Sequence, residues 1–144
     1  MLRVSSSLLG ALLIASVHSQ VPAVVTADQA AWAHFVVEHG AGWQVQWNRS
    51  PGTPEAVWGP GLDLGAGPLV DVTSARPHAE ATLTRYADLL MVGESTFVEV
   101  IGEKVARVNI FVYQQRFRGL DVIDGRADVR IHDNGVLSLF GTQA

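Results

Sequence analysis

The residues able to do chemistry are few and scattered. His34, Glu38 and His39 fall within one helical stretch. Two histidines five residues apart are rotated ~500° around an α-helix, about 140° from alignment, so they do not face one ion. Neither H-E-x-x-H nor its inverted spacing occurs. His78-Ala79-Glu80 matches a fragment of the zinc deaminase site, but that site needs cysteines and the chain has none. The same absence removes thiolate nucleophiles, disulfides and Cys-based zinc centres. Asp124, Asp128, His132 and Asp133 sit at turns and on a wet strand face, where such residues serve hydration and turn chemistry. No Gly-x-Ser-x-Gly elbow is present. The expectation is a segment with no catalytic, cofactor-binding or metal-binding residue.

What remains is a polar cluster, Gln114, Gln115, Arg116 and Arg118. Two readings of it stand. In one, Gln115, Arg116 and Arg118 present hydrogen-bond donors to a partner protein at the wet end of a strand, which makes them the candidate partner-binding residues. In the other, Gln115 folds back onto backbone groups near Gly119 and the arginines are a solvated face. Trp43, Trp47 and Trp58 read as core residues more than as contacts.

The elements that must position this cluster lie in Val105 to Ala144, which reads as three antiparallel strands. Asn134-Gly135 between two alternating apolar runs predicts a hairpin with a type I′ turn. Before it, Ala127, Val129 and Ile131 alternate with Arg126, Asp128, Arg130 and His132, giving one apolar and one wet face. On Val108 to Tyr113 both parities are apolar, as in a central strand covered by a helix. Gly119 marks a turn, and Asp124-Gly125 allows a bulge in the returning strand.

Upstream, Thr26 with Gln29 gives a capping box for a helix from about Ala27 to His39, and Trp43 to Trp47 alternates as a strand. Asn48 to Pro68, rich in Gly and Pro, reads as a long loop. Ser74 with Pro77 starts a second helix running to about Val92, with Ala79, Leu83, Tyr86 and Leu90 on its buried face. A strand follows from about Thr96 to Ile101, and Gly102-Glu103-Lys104 turns into the central strand. The predicted fold is α+β: a curved antiparallel sheet of four to five strands, ending in a C-terminal meander, packed on one main helix, plus an N-terminal helix. The last strand, Val136 to Phe140, or the tryptophan-bearing first one, is the expected exposed edge.

Residues 1–19 combine Arg3, an apolar run from Leu8 to Val17 too short for a bilayer, and small residues before a cut. They read as a secretory signal peptide, followed by a mobile leader at 20–26 and one domain at 27–144. The expected destination is extracellular or periplasmic. Signal removal takes away Arg3 and no acid, so ten basic residues become nine against fourteen acidic ones, a net charge of −5. No basic patch emerges, so nucleic acid and, after signal removal, membrane are not expected partners.

The pattern Tyr113-Gln114-Gln115-x-Phe117-x-Gly119-Leu120-x-Val122, followed by Asn134-Gly135-Val136-Leu137-x-Leu139-x-Gly141, resembles the FTP domain, the fungalysin/thermolysin propeptide domain. Gly52-Thr53-Pro54 and Gly61-Leu62 are similar to its start, so the resemblance spans roughly Trp43 to Gly141. It implies a monomeric, non-catalytic module that binds the protease domain or a second prodomain module of one secreted zinc metalloprotease precursor. The zinc would belong to the protease domain. The ending at Gly141-Thr142-Gln143-Ala144 reads as the N-terminal fragment of such a precursor. The rival expectation is a stand-alone secreted binding module of cystatin-like or cone-shaped α+β type, holding a ligand or foreign protein between helix and sheet.

Overall fold

The structure is a computed structural model that describes residues 27–49 and 52–143. The expected signal peptide, the leader and the Thr26 half of the first capping box lie outside the described residues. The order is α1 (Ala27–His39), β1 (Gln44–Trp47), β2 (Pro54–Asp63), α2 (Val72–Arg85), β3 (Thr96–Val105), β4 (Val108–Phe117), β5 (Leu120–His132) and β6 (Val136–Gln143). All six strands form one open antiparallel sheet in the order β1-β2-β6-β5-β4-β3.

The α+β class and the C-terminal meander are as expected; the strand count is not. The stretch Asn48 to Pro68 is not a loop throughout, because β2 occupies its middle. Gly59-Pro60-Gly61 hides that strand in the sequence. In the fold it forms a bulge, since pairing with β6 runs through Val57↔Phe140 and Trp58↔Leu139, then resumes at Leu62↔Leu137. A bulge is where an interior strand tolerates a proline that cannot donate to the ladder. Gly59 is required there because a Cβ would sit 2.6 Å from the Trp43 ring, and Gly61 takes φ +101° against Val136. Because β2 claims the outer side of β6, the last strand is interior. The two edges are β1, as one expectation had it, and β3.

Three further boundaries differ. The second helix begins at Val72 with Asp71 as N-cap, Asp71 and Ser74 making reciprocal hydrogen bonds, and ends at Arg85 rather than near Val92. Tyr86 leaves helical geometry at φ −103°, and the turns that follow include Met91 at φ +52°, which no α-helix contains. Strand β3 runs past Gly102 to Val105, a register shift between Glu99 and Ile101 absorbing the irregularity, and the turn falls at Ala106-Arg107. At Asn134-Gly135 only the glycine has positive φ, its N–H bonding His132 O at 2.9 Å, so this hairpin has a three-residue loop. Positive φ at two successive turn residues occurs instead at Arg118-Gly119.

One sheet face carries the core. Phe111, Tyr113, Ala127, Val129, Ile131, Leu137 and Phe140 are buried there beneath Ala75, Ala79, Leu83, Tyr86 and Leu90. Phe35 of α1 joins the two helices to the sheet, its ring centroid 5.3 Å from both Trp43 and Tyr86 and 5.7 Å from Phe140. Aromatic groups at these separations and tilts are favourable beyond the area they bury.

Candidate functional site

The polar cluster lies where β4 passes the bulge in β5. Pairing runs to Gln114↔Arg126, then resumes at Arg116↔Asp121, so Gln115 faces four residues of β5. Asp124 in that bulge takes φ +58°. A bulge strands carbonyls that the ladder no longer pairs, and Gln114 meets them. Its Nε2 donates to Val122 O at 2.8 Å, Gly125 O at 2.9 Å and Gln115 O at 3.0 Å. Backbone repair near the Gly119 turn is thus the work of Gln114. Gln115 is buried on the opposite face, donating from Nε2 to Ser95 Oγ at 2.9 Å. Arg116 and Arg118 are at the surface: Arg116 Nε lies 2.7 Å from Asp121 Oδ1, and Arg118 reaches Glu94 at 3.6 Å with its guanidinium over the Phe117 ring.

Beside these arginines and their carboxylates the surface also carries exposed apolar side chains. Phe117, Leu120 and Ile123 crowd this end of the β4–β5 hairpin, with Leu120 75% and Ile123 90% exposed. The Thr96↔Arg116 pairing brings the start of β3 to the same end. From there β3 runs for ten residues with no strand on its outer side among the described residues and with Val98, Val100, Ile101 and Val105 exposed. Its single lysine, Lys104, is turned back to Val70 O at 2.6 Å. The edge status of β3 depends on which strands close the far side of the sheet, so local periodicity carried no signal for it.

Beneath this strand, between β3, β4 and the end of α2, is a cavity of about 480 Å³. Leu83, Ala87, Val92 and Phe97 give it apolar walls, Glu80 and Glu99 line it too, and Tyr113 forms part of the lining from β4. Arg76 grips Glu99 with two nitrogens, Nε at 2.7 Å and Nη2 at 3.0 Å.

The other chemistry-bearing residues do not converge. Glu38 pairs with Arg85 at 2.7 Å, which holds its carboxyl below the usual range, while His39 Nε2 meets the Tyr86 hydroxyl at 3.0 Å and His34 is exposed. His78 is half-buried and Glu80 exposed on α2. Asp128 is held by Arg126 through two hydrogen bonds of 2.8 Å, Asp133 by Arg107 at 3.1 Å, and Asp124 is exposed on its bulge. Among the described residues no three His, Asp or Glu side chains are grouped to hold a metal ion. No described helix is long and apolar enough to cross a membrane.

No family model matches the chain, and no curated protein matches it.

Proposed function

We propose that this chain is a non-catalytic docking module, the propeptide part of a secreted zinc metalloprotease precursor, which binds the protease domain, assists its folding and keeps it inactive. The observation that carries this reading is the side of β3 left unpaired among the described residues, ten residues long, with Val98, Val100, Ile101 and Val105 exposed along it and Phe117, Leu120 and Ile123 exposed at the adjoining hairpin end; its charges, Glu99, Glu103 and Lys104, interrupt that apolar surface without covering it. Proteins that act alone shorten, charge or cover such edges. A partner strand added there satisfies the free amides and carbonyls and covers the exposed side chains. Arg116 and Arg118 lie at the rim of this surface, where charge governs orientation and association rate more than affinity. Gln115 acts from beneath, fixing Ser95 ahead of β3. Tethering raises the effective concentration to the millimolar range, so a modest interface holds until the linker is cut.

The test begins with the reading frame beyond Ala144. A following domain with H-E-x-x-H, produced separately, should be slowed when this chain is added in trans, and Val100→Lys should relieve the inhibition. Absence of such a domain, or an unchanged protease rate at excess chain, overturns the proposal.

A further inference from the structure

Asn134-Gly135 carries a chemistry that its role as a turn does not use. The side-chain carbonyl carbon of an asparagine is spaced to close a small ring with the backbone nitrogen of the next residue, which makes asparagine chemically labile. Glycine offers the most open nitrogen for that closure, having no Cβ beside it. The chain has three asparagines, and only this one precedes glycine; Asn48 is followed by Arg49 and Asn109 by β-branched Ile110.

The structure separates the three further. Asn109 is fully buried with its Nδ2 donating to Leu69 O at 2.8 Å, and Asn48 donates to Thr53 Oγ1 at 2.8 Å and Thr142 O at 2.9 Å. Asn134 is exposed, and its Nδ2 donates to nothing among the described residues, while its Oδ1 accepts from Val136 N at 3.3 Å. The amide nitrogen that must leave is therefore free, and an N–H is aimed at the oxygen on which negative charge would develop. The Gly135 N–H is engaged by His132 O at 2.9 Å, a single turn bond whose local opening must precede attack.

We infer that Asn134 is a site of spontaneous deamidation, with water as the only co-reactant. Gly135 N attacks Cγ, its proton passes to solvent base, and the Cγ–Nδ2 bond breaks to release ammonia, leaving a succinimide. Water then opens one of the two ring carbonyls. Opening at Cγ gives aspartate; opening at the backbone carbonyl gives isoaspartate, in which the main chain runs through Cβ and Cγ. The position gives that lengthened backbone leverage. Gly135 O accepts from Leu64 N at 3.1 Å, Asp133 O from Leu69 N at 2.8 Å, and Asp133 N donates to Arg107 O at 2.8 Å. Gly135 also lies so close to Gly67 that a Cβ would sit 2.5 Å from Gly67 O. The turn thus ties β6 to the loop before α2 and to the β3–β4 turn, and an extra main-chain atom does not fit there.

To test this, the native chain is incubated at neutral and at mildly alkaline pH, digested with an acid-active protease, and its peptides weighed against those of a fresh sample. The peptide containing Asn134 should gain the mass difference between OH and NH2, faster at the higher pH, and should accept methyl groups from isoaspartyl methyltransferase. Peptides containing Asn48 or Asn109 should not. Isomerisation at Asp124-Gly125 adds no mass, so the mass gain assigns the product. Asn134→Gln, which must close a larger ring, should abolish the gain. The isoaspartyl form, isolated by chromatography, should lose hydrogen-exchange protection at Leu64 and Leu69, whereas Asn134→Asp, with the same charge on an ordinary backbone, should keep it. An unchanged Asn134 peptide, equal conversion at Asn48 or Asn109, or full protection in the isoaspartyl form would each overturn the inference.

Discussion

Gln114 shows how much one side chain settles locally. A strand that bulges leaves carbonyls facing nothing, and the two N–H groups of this single amide are shared among three of them. Gln114→Ala should therefore destabilise the fold by about 1 kcal/mol, the worth of hydrogen bonds to partly buried carbonyls, read as a lower urea midpoint at unchanged slope. The sequence identified the bulge at Asp124-Gly125 and the glutamines beside it, but not which glutamine serves it. That choice follows from strand parity: Gln114 shares the β5 side of the outer face, while Gln115 points inward to Ser95. Charge acts at this scale too. The pKa of Asp71 is depressed by hydrogen bonds from Ser74, that of Asp133 by Arg107 and that of Glu38 by Arg85. A carboxylate with a depressed folded pKa contributes stability that is present above its ordinary value and lost as the pH falls through the folded one. Melting temperature should accordingly be flat near neutrality and decline below 3.8–4.5, the ordinary values of these groups. Asp71→Ala should lower the melting temperature at neutral pH and change it little in acid, where the cap is already protonated. Glu38 and Asp71 are exposed and Asp133 is half-buried, so added salt should shrink the ion-pair part of the effect, most at Glu38.

Elements with a clean period were legible. Helix α1 has the bounds that its stripe of Trp32, Phe35, Val36 and His39 implied, and β5 buries Ala127, Val129 and Ile131 as its alternation required. Strand β2 was illegible for a physical reason: Gly59-Pro60-Gly61 is turn chemistry by local rules, and only pairing with β1 on one side and β6 on the other makes it strand. Strand β3 was read too short because Gly102 resembles a turn residue; its partner Phe111 on β4 keeps it in the ladder. The unpaired side of β3 yields a prediction proper to an element. Val100, 59% exposed, makes little core contact, so Val100→Lys should change stability by no more than about 0.5 kcal/mol, as surface substitutions do. The same change should suppress any concentration-dependent self-association, measured by light scattering, by placing a charge on an edge available for pairing. The cavity beside Tyr113 was also beyond sequence reading. Its walls come from α2, the turns after it, β3 and β4.

For the whole molecule, stability is graded by position in the sheet. Strands β5 and β6 have neighbours on both sides and the most deeply buried side chains, whereas β1 and β3 each have one neighbour. Amide hydrogen exchange should be slowest in β5 and β6 and fastest along the outer sides of β1 and β3, because exchange follows the local cost of opening. The strand order also sets a timetable. All four tryptophans, Trp32, Trp43, Trp47 and Trp58, precede residue 60, yet the ladder that anchors β2 is made with the final strand. A chain emerging from the ribosome thus holds β2 without its β6 partner until residue 143 has been synthesised. Closing that long span should be the slow step, since non-local pairing requires the loop entropy to be lost before contacts form. Indole emission, followed during synthesis or refolding, would report the end of assembly and not its beginning.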